Sequence, residues 1–110
     1  MNLSTMHCAT GGQAVALSQA DIATHLLSLD GWTHIGQEIK KTFAFKNYYE
    51  TMAFVNASAW VSHREDHHPD MSVHYNKCVV SYSTHDAAFG KGGITLNDFI
   101  CAAKLDALNP

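Results

Sequence analysis

Residues 63–86 read HREDHHPDMSVHYNKCVVSYSTHD and hold five of the chain's eight histidines. Neutral imidazole both donates and accepts a proton near pH 7, so such a cluster suits general acid/base chemistry. His67 and His68 stand just before Pro69, where a helical pattern stops. His85 closes a strand-like run and leads into a loop. Ends of elements that converge on one rim are where sites are built. Asp66 and Asp86 flank the two groups and supply carboxylates that can orient a ring or receive a ligand N–H. No Ser-His-Asp or Cys-His arrangement stands out, so covalent catalysis is not indicated.

Two other readings compete with proton transfer. His63 and His67 lie four apart on the expected helix, so both point the same way and could pinch a zinc ion. The intervening HREDH is not the HExxH of metalloproteases, however. A third ligand from His68, His74 or His85 would follow no recognised spacing. The plainer reading is that charged histidines at a helix end gain a little from its dipole. His7, His25 and His34 are taken as ordinary surface histidines, and His74, alternating with Val73 and Tyr75, as a surface strand residue.

The elements that must position these residues follow from periodicity. Residues 1–17 have no period and contain Gly11-Gly12, which suggests a loose, flexible N-terminal arm ahead of one domain spanning 18–110. Ser18-x-x-Asp21 resembles a capping box, followed by Ile22, Leu26 and Leu27 at helical spacing and a stop at Asp30-Gly31. Residues 32–35 form a short strand candidate. Residues 39–46 alternate, with Ile39, Phe43 and Phe45 on one face.

Asn47-x-x-Glu50 opens a long amphipathic helix with apolar positions at Tyr48, Met52, Phe54, Val55, Ala59 and Val61. It runs to the histidine pair, where Pro69 disfavours helical geometry at His68. Residues 71–75 and 77–84 read as two strands joined at Asn76, and the second places Cys78, Val80 and Tyr82 on one face. A Gly-rich loop, AAFGKGG, leads to Thr95-x-x-Asp98, a third capping signal, and to a last helix whose apolar side holds Phe99, Ala102, Ala103 and Leu105. The order implies an α+β sandwich: three helices on one face of a four-stranded antiparallel sheet.

Composition limits the function classes. The chain has 110 residues, 46% hydrophobic and 15% charged, with a formal charge of -3. That suits one globular domain with a core of its own. The first basic residue is Lys40, which argues against a secretory signal or an Arg-rich transit peptide. Apolar runs fall short of the ~20 residues of a membrane span. No basic patch matches nucleic-acid phosphates, so the expected partner is a small molecule or another protein. Cys8, Cys78 and Cys101 are dispersed and odd in number, which points to reduced thiols and a cytoplasmic setting. Cys78 and Cys101 sit in apolar runs, as small core residues do.

Several short motifs together resemble one family. Asp66-His67-His68-Pro69, Tyr75-Asn76-Lys77, Ser83-Thr84-His85-Asp86 and Gly93-Ile94-Thr95-x-x-Asp98-Phe99 occur in the order and spacing of the pterin-4a-carbinolamine dehydratases. The resemblance covers roughly residues 18–108. It implies an αββαββα fold assembled as homodimers or homotetramers. It implies dehydration of 4a-hydroxytetrahydrobiopterin to the quinonoid dihydropterin with no metal or organic cofactor, in recycling the pterin used by aromatic amino acid hydroxylases. A second activity, as dimerisation cofactor of a homeodomain transcription factor, belongs to animal members.

Carried over by position, His67 and His85 match the family's acid/base histidines, and His68 the histidine that holds the pterin. Asp66, Pro69, Ser83, Thr84 and Asp86 match the lining of the ring site. The chemistry agrees, since loss of water needs one proton given to the departing hydroxyl and one removed from a ring nitrogen.

Two departures stand out. His63 occupies a substrate-binding position where family members often carry Glu, and it cannot supply that fixed negative charge. The loop between His85 and Gly93 is also longer than is typical. The alternatives to an enzyme are a non-catalytic interaction module of the same fold and a metal-binding protein.

Overall fold

A computed structural model describes residues 2–10 and 13–108. Met1, Gly11, Gly12, Asn109 and Pro110, which the sequence reading assigns to the arm and to the domain's end, lie outside the described residues. The elements are α1 (Gln19–Leu26), β1 (Thr33–Ile35), β2 (Glu38–Ala44), α2 (Tyr48–Glu65), β3 (Asp70–Val73), β4 (Lys77–Tyr82), α3 (Ala87–Gly90) and α4 (Leu96–Leu108). The four strands form one antiparallel sheet in the order β1-β2-β4-β3. This is the expected αββαββα architecture, with the single-turn α3 added inside the stretch read as a Gly-rich loop.

Alternation sets the sheet's two faces. Ile39, Phe43, Cys78, Val80 and Tyr82 are at most 1% exposed, and the register places Ile39 opposite Tyr82 and Phe43 opposite Cys78. A one-residue slip would turn this whole apolar set to solvent, so burial fixes the register. Lys41 shares the inward face; its stem covers Phe43 while its ammonium reaches the Asp106 carboxylate at 2.8 Å and the Asp30 carbonyl.

The three capping signals form as read. Ser18 Oγ accepts from Asp21 N–H, Asn47 Oδ1 from Glu50 N–H, and Thr95 Oγ1 from Asn97 N–H. The α2 stripe differs from the sequence reading. Tyr48 and Ala59 are exposed, and the buried positions are Thr51, Phe54, Ser58 and Glu65. Three of those four are polar, which hides the stripe from a hydrophobicity count. Thr51 donates to Tyr75 O, Ser58 donates to Val55 O, and Glu65 accepts from the N-terminal segment.

That segment does not hang loose where it is described. Leu3 is 4% exposed in the core, Lys104 Nζ donates to Ser4 O, and Leu17 N–H donates to Ile94 O. Asn97 clasps Ala9, its Oδ1 accepting from Ala9 N–H and its Nδ2 donating to Ala9 O. The sequence is aperiodic here because the strap, a single 3₁₀ turn at Leu3–Thr5 followed by irregular chain, has no repeat of its own; its order comes from partners far along the chain.

Candidate active site

Helix α2 ends earlier than Pro69 suggests. Its last residue is Glu65, and Asp66 adopts a left-handed conformation with φ 52° and ψ 42°. The N–H groups of Asp66 and His67 both donate to Ser62 O, a Schellman-type closure. Asp is among the few side chains that tolerate this backbone.

The turn has a chemical consequence. His67 and His68 lie beyond the helix rather than within it, and the chain turns inward at His67. The expectation that His63 and His67 share a helical face is therefore corrected. His63 is exposed on α2, and the residues lining the histidine cavities described below do not include it.

His67 is packed on two sides. Its ring stacks on Tyr82 from β4, with centroids 5.7 Å apart and planes 14° from parallel. Its Nε2 donates to Asp98 Oδ1 at 2.6 Å. Asp98, with no exposed surface, also accepts at Oδ2 from Thr84 Oγ1 and from Thr95 N–H, both at 2.9 Å. Thr95 Oγ1 in turn donates to Thr84 Oγ1 at 2.8 Å. One carboxylate thus completes the capping box of α4 and orients the histidine. A carboxylate only accepts, so Nε2 of His67 carries the proton and the neutral ring keeps Nδ1 as its basic nitrogen.

The expected site residues come together around this ring. Asp66, His67, His68, Ser83, Thr84, His85 and Asp86 line one cavity of about 240 Å³. Thr84 is held there by a bridge to Gly93, its N–H donating to Gly93 O and its O accepting from Gly93 N–H. His68 and His85 are exposed at the rim, whereas the His67 side chain is only 12% exposed. Pro69 follows His68 and leads into β3 without lining the cavity.

A second cavity of about 230 Å³ shares Asp66, His67, Thr84 and Asp86 and adds Ala9, Thr10, Ala14 and Asn97. Each is below the roughly 300–1,000 Å³ of a drug-sized ligand site, and together they suit a flat bicyclic ring with a short substituent. A larger hollow of about 490 Å³ lies elsewhere, beside Leu3, Ser28 and Ala103. Asp106 is its one ionisable group, and Lys41 and Trp32 already occupy that carboxylate.

Other histidines are accounted for locally. His34 bonds Gly36 O, His74 bonds Ser72 Oγ, and His25 packs on Phe99 at 5.3 Å. His7 differs from the surface reading in one respect: its exposed ring donates from Nδ1 to the buried Glu65 carboxylate. Among the described residues no three His, Cys, Asp or Glu side chains converge as a metal-holding group.

Two features of the site escape the sequence reading. Asp98 is legible there as a capping residue, and nothing in its spacing reveals the bond to His67. The wall contributed by Ala9, Thr10 and Ala14 carries no sequence signal at all.

Comparison with known proteins identifies the family. The pterin 4 alpha carbinolamine dehydratase family profile matches residues 15–108. Relatives that carry the dehydratase's name include one from Nitrosospira multiformis, 56% identical over 108 residues and covering 97% of this chain and 92% of the relative. Another, from Chromobacterium violaceum, is 54% identical over 108 residues, covering 98% and 96%. A crystal structure described as a transcriptional coactivator/pterin dehydratase from Brucella melitensis has a TM-score of 0.79 at 28% identity, covering 86% of this chain and 99% of that one. The chain belongs to the pterin-4-alpha-carbinolamine dehydratase family.

Proposed function

We propose that the protein is a hydro-lyase that converts 4a-hydroxytetrahydrobiopterin to the quinonoid dihydropterin and water. The observation that carries this reading is the single cavity shared by His67, His68 and His85, with the innermost ring fixed by Asp98. One histidine, protonated, gives its proton to the departing 4a-hydroxyl, which leaves as water. The other removes a proton from ring nitrogen as the double bond to C4a forms. His67, with Nδ1 free to accept, suits the second task, and His85 at the rim suits the first. His68 holds the ring, while Asp66, Asp86 and the backbone of Ser83 and Thr84 engage its N–H and carbonyl edges. The reaction needs no redox change, and the protonations at these side chains balance it.

The same reading places the protein in the cytoplasm as a homodimer or homotetramer, serving an aromatic amino acid hydroxylase that oxidises the pterin. Trp60, 71% exposed on α2, supports assembly through that helix. No described helix is long and apolar enough to cross a membrane. A second reading, a non-catalytic interaction module of the same fold, draws on the coactivator half of the Brucella melitensis protein's description. One assay separates the two. A hydroxylase generates the 4a-hydroxytetrahydropterin, and its disappearance is followed by absorbance with and without the protein. Accelerated decay supports the dehydratase, and decay at the spontaneous rate supports the interaction module.

A further inference from the structure

The N-terminal segment forms a wall of the site that the family motifs leave out, since those motifs begin after it. It is held from three sides. The Glu65 carboxylate, 5% exposed, accepts from Cys8 N–H at 2.7 Å and from His7 Nδ1 at 3.0 Å, with Lys104 Nζ 3.8 Å away. Asn97 bonds both backbone groups of Ala9 at 2.9 Å. The Cys8 thiol lies 3.5 Å from the Cys101 sulfur inside α4. Glu65 immediately precedes the left-handed Asp66, and Asn97 immediately precedes Asp98. The clasp is therefore built on the same two turns that set His67.

We propose that this strap is a specificity wall for the substituent at C6 of the pterin, with Thr10 contacting a hydroxyalkyl side chain and Glu65 positioning the strap. The inference rests on the dehydratase reading above. The ring must sit among His67, His68 and His85, because the chemistry is at C4a. The neighbouring cavity shares Asp66, His67, Thr84 and Asp86 with that one, so a substituent directed from the ring toward this wall would lie beside Ala9, Thr10 and Asn97. There Asn97 is committed to Ala9, and Thr84 to Asp98 and Thr95. Thr10 is an exposed residue of this cavity's lining and carries a hydroxyl that a ligand can meet. A dihydroxypropyl chain offers it a partner that a methyl group does not.

The test measures dissociation constants of two stable oxidised pterins, biopterin and 6-methylpterin, by fluorescence quenching, for wild type, Thr10→Val, Thr10→Ser, Glu65→Leu and Glu65→Gln. The readout is the preference for biopterin over 6-methylpterin. Loss of one hydrogen bond corresponds to about five- to tenfold in affinity. That preference should fall by this factor in Thr10→Val and recover in Thr10→Ser. It should fall in Glu65→Leu, which removes the acceptor of Cys8 N–H, and persist in Glu65→Gln, which keeps one.

A structural role alone would weaken both pterins equally and leave the preference unmoved, and that result overturns the proposal. So does a wild type with no preference. Should Glu65→Leu fail to fold, the exposed Thr10 pair still decides. Turnover in the dehydration assay with an unmoved preference rejects the wall and keeps the enzyme. Absence of wild-type turnover rejects the reading on which the wall rests.

Discussion

Nε2 of His67 lies 2.6 Å from Oδ1 of Asp98, and the carboxylate that holds this histidine also starts the last helix. Site and scaffold therefore share one side chain. The other oxygen of Asp98 takes two donors, so its position is fixed before any ligand arrives. Such preorganisation costs no rearrangement at the moment of proton transfer.

Asp98→Ala should lower both stability and activity. It leaves the Thr84 hydroxyl, the Thr95 N–H and the His67 N–H without their acceptor. Removing one partner of a buried charged network costs about 3–5 kcal/mol, which urea denaturation will read. Asp98→Asn keeps the shape and some of the bonds. It should lose about 1 kcal/mol or more through the weakened cap and reduce kcat at least tenfold, within the range of general acid/base effects. An Asp98→Asn protein with wild-type kcat would show that the carboxylate serves the helix alone.

His63 stands where the family resemblance leads one to expect Glu in many members, and the structure changes what substitution there should do. On one helical face a carboxylate at 63 would stabilise protonated His67. The helix instead ends at Glu65, and the left-handed Asp66 carries His67 away from that face. His63→Glu should therefore shift the kcat/KM pH profile by less than about half a pH unit, the scale of a solvent-screened pair. A larger shift of the acid limb to higher pH would mean that the two positions communicate.

Stability should depend on Glu65 at acid pH. Burial by itself raises this carboxyl, but the Cys8 N–H, His7 and Lys104 together hold it below the ordinary value of 4.5. A group depressed in the folded state stabilises fully above its unfolded value and loses that stabilisation as pH falls through the folded value. Thermal melts of wild type and Glu65→Gln should differ most near neutrality. The difference should shrink as pH drops below about 4.5. A gap that stays constant down to pH 3 would show that the charge of Glu65 contributes nothing.

Much of this was legible in the residues. Strict alternation in β2 and β4 gave the inward face, and the three Ser, Asn and Thr caps gave the helix starts, because both signals are local. The motifs around His67 and His85 marked the residues that share the cavity. The boundary of α2 was misplaced because Pro69 is a visible stop, whereas the stop that acts is a left-handed Asp66, a backbone state that composition does not announce. The buried stripe of α2 departs from the hydrophobic pattern because Thr51, Ser58 and Glu65 are polar: Thr51 and Glu65 find partners outside the helix, at Tyr75 and Cys8, and Ser58 bonds back to Val55 within it. The strap and the Asp98–His67 bond depend on contacts across 57 and 31 residues of chain, beyond any local period.

The most direct measurement compares wild type with the double variant His67→Ala/His85→Ala in the decay of freshly generated 4a-hydroxytetrahydropterin at neutral pH. Circular dichroism and a thermal melt first confirm that the variant is folded. Wild type should accelerate the decay. The double variant should lose about 10²- to 10⁴-fold of that acceleration, the contribution of positioned proton transfer, and approach the spontaneous rate. A folded double variant with near wild-type turnover would contradict acid/base catalysis by these two histidines.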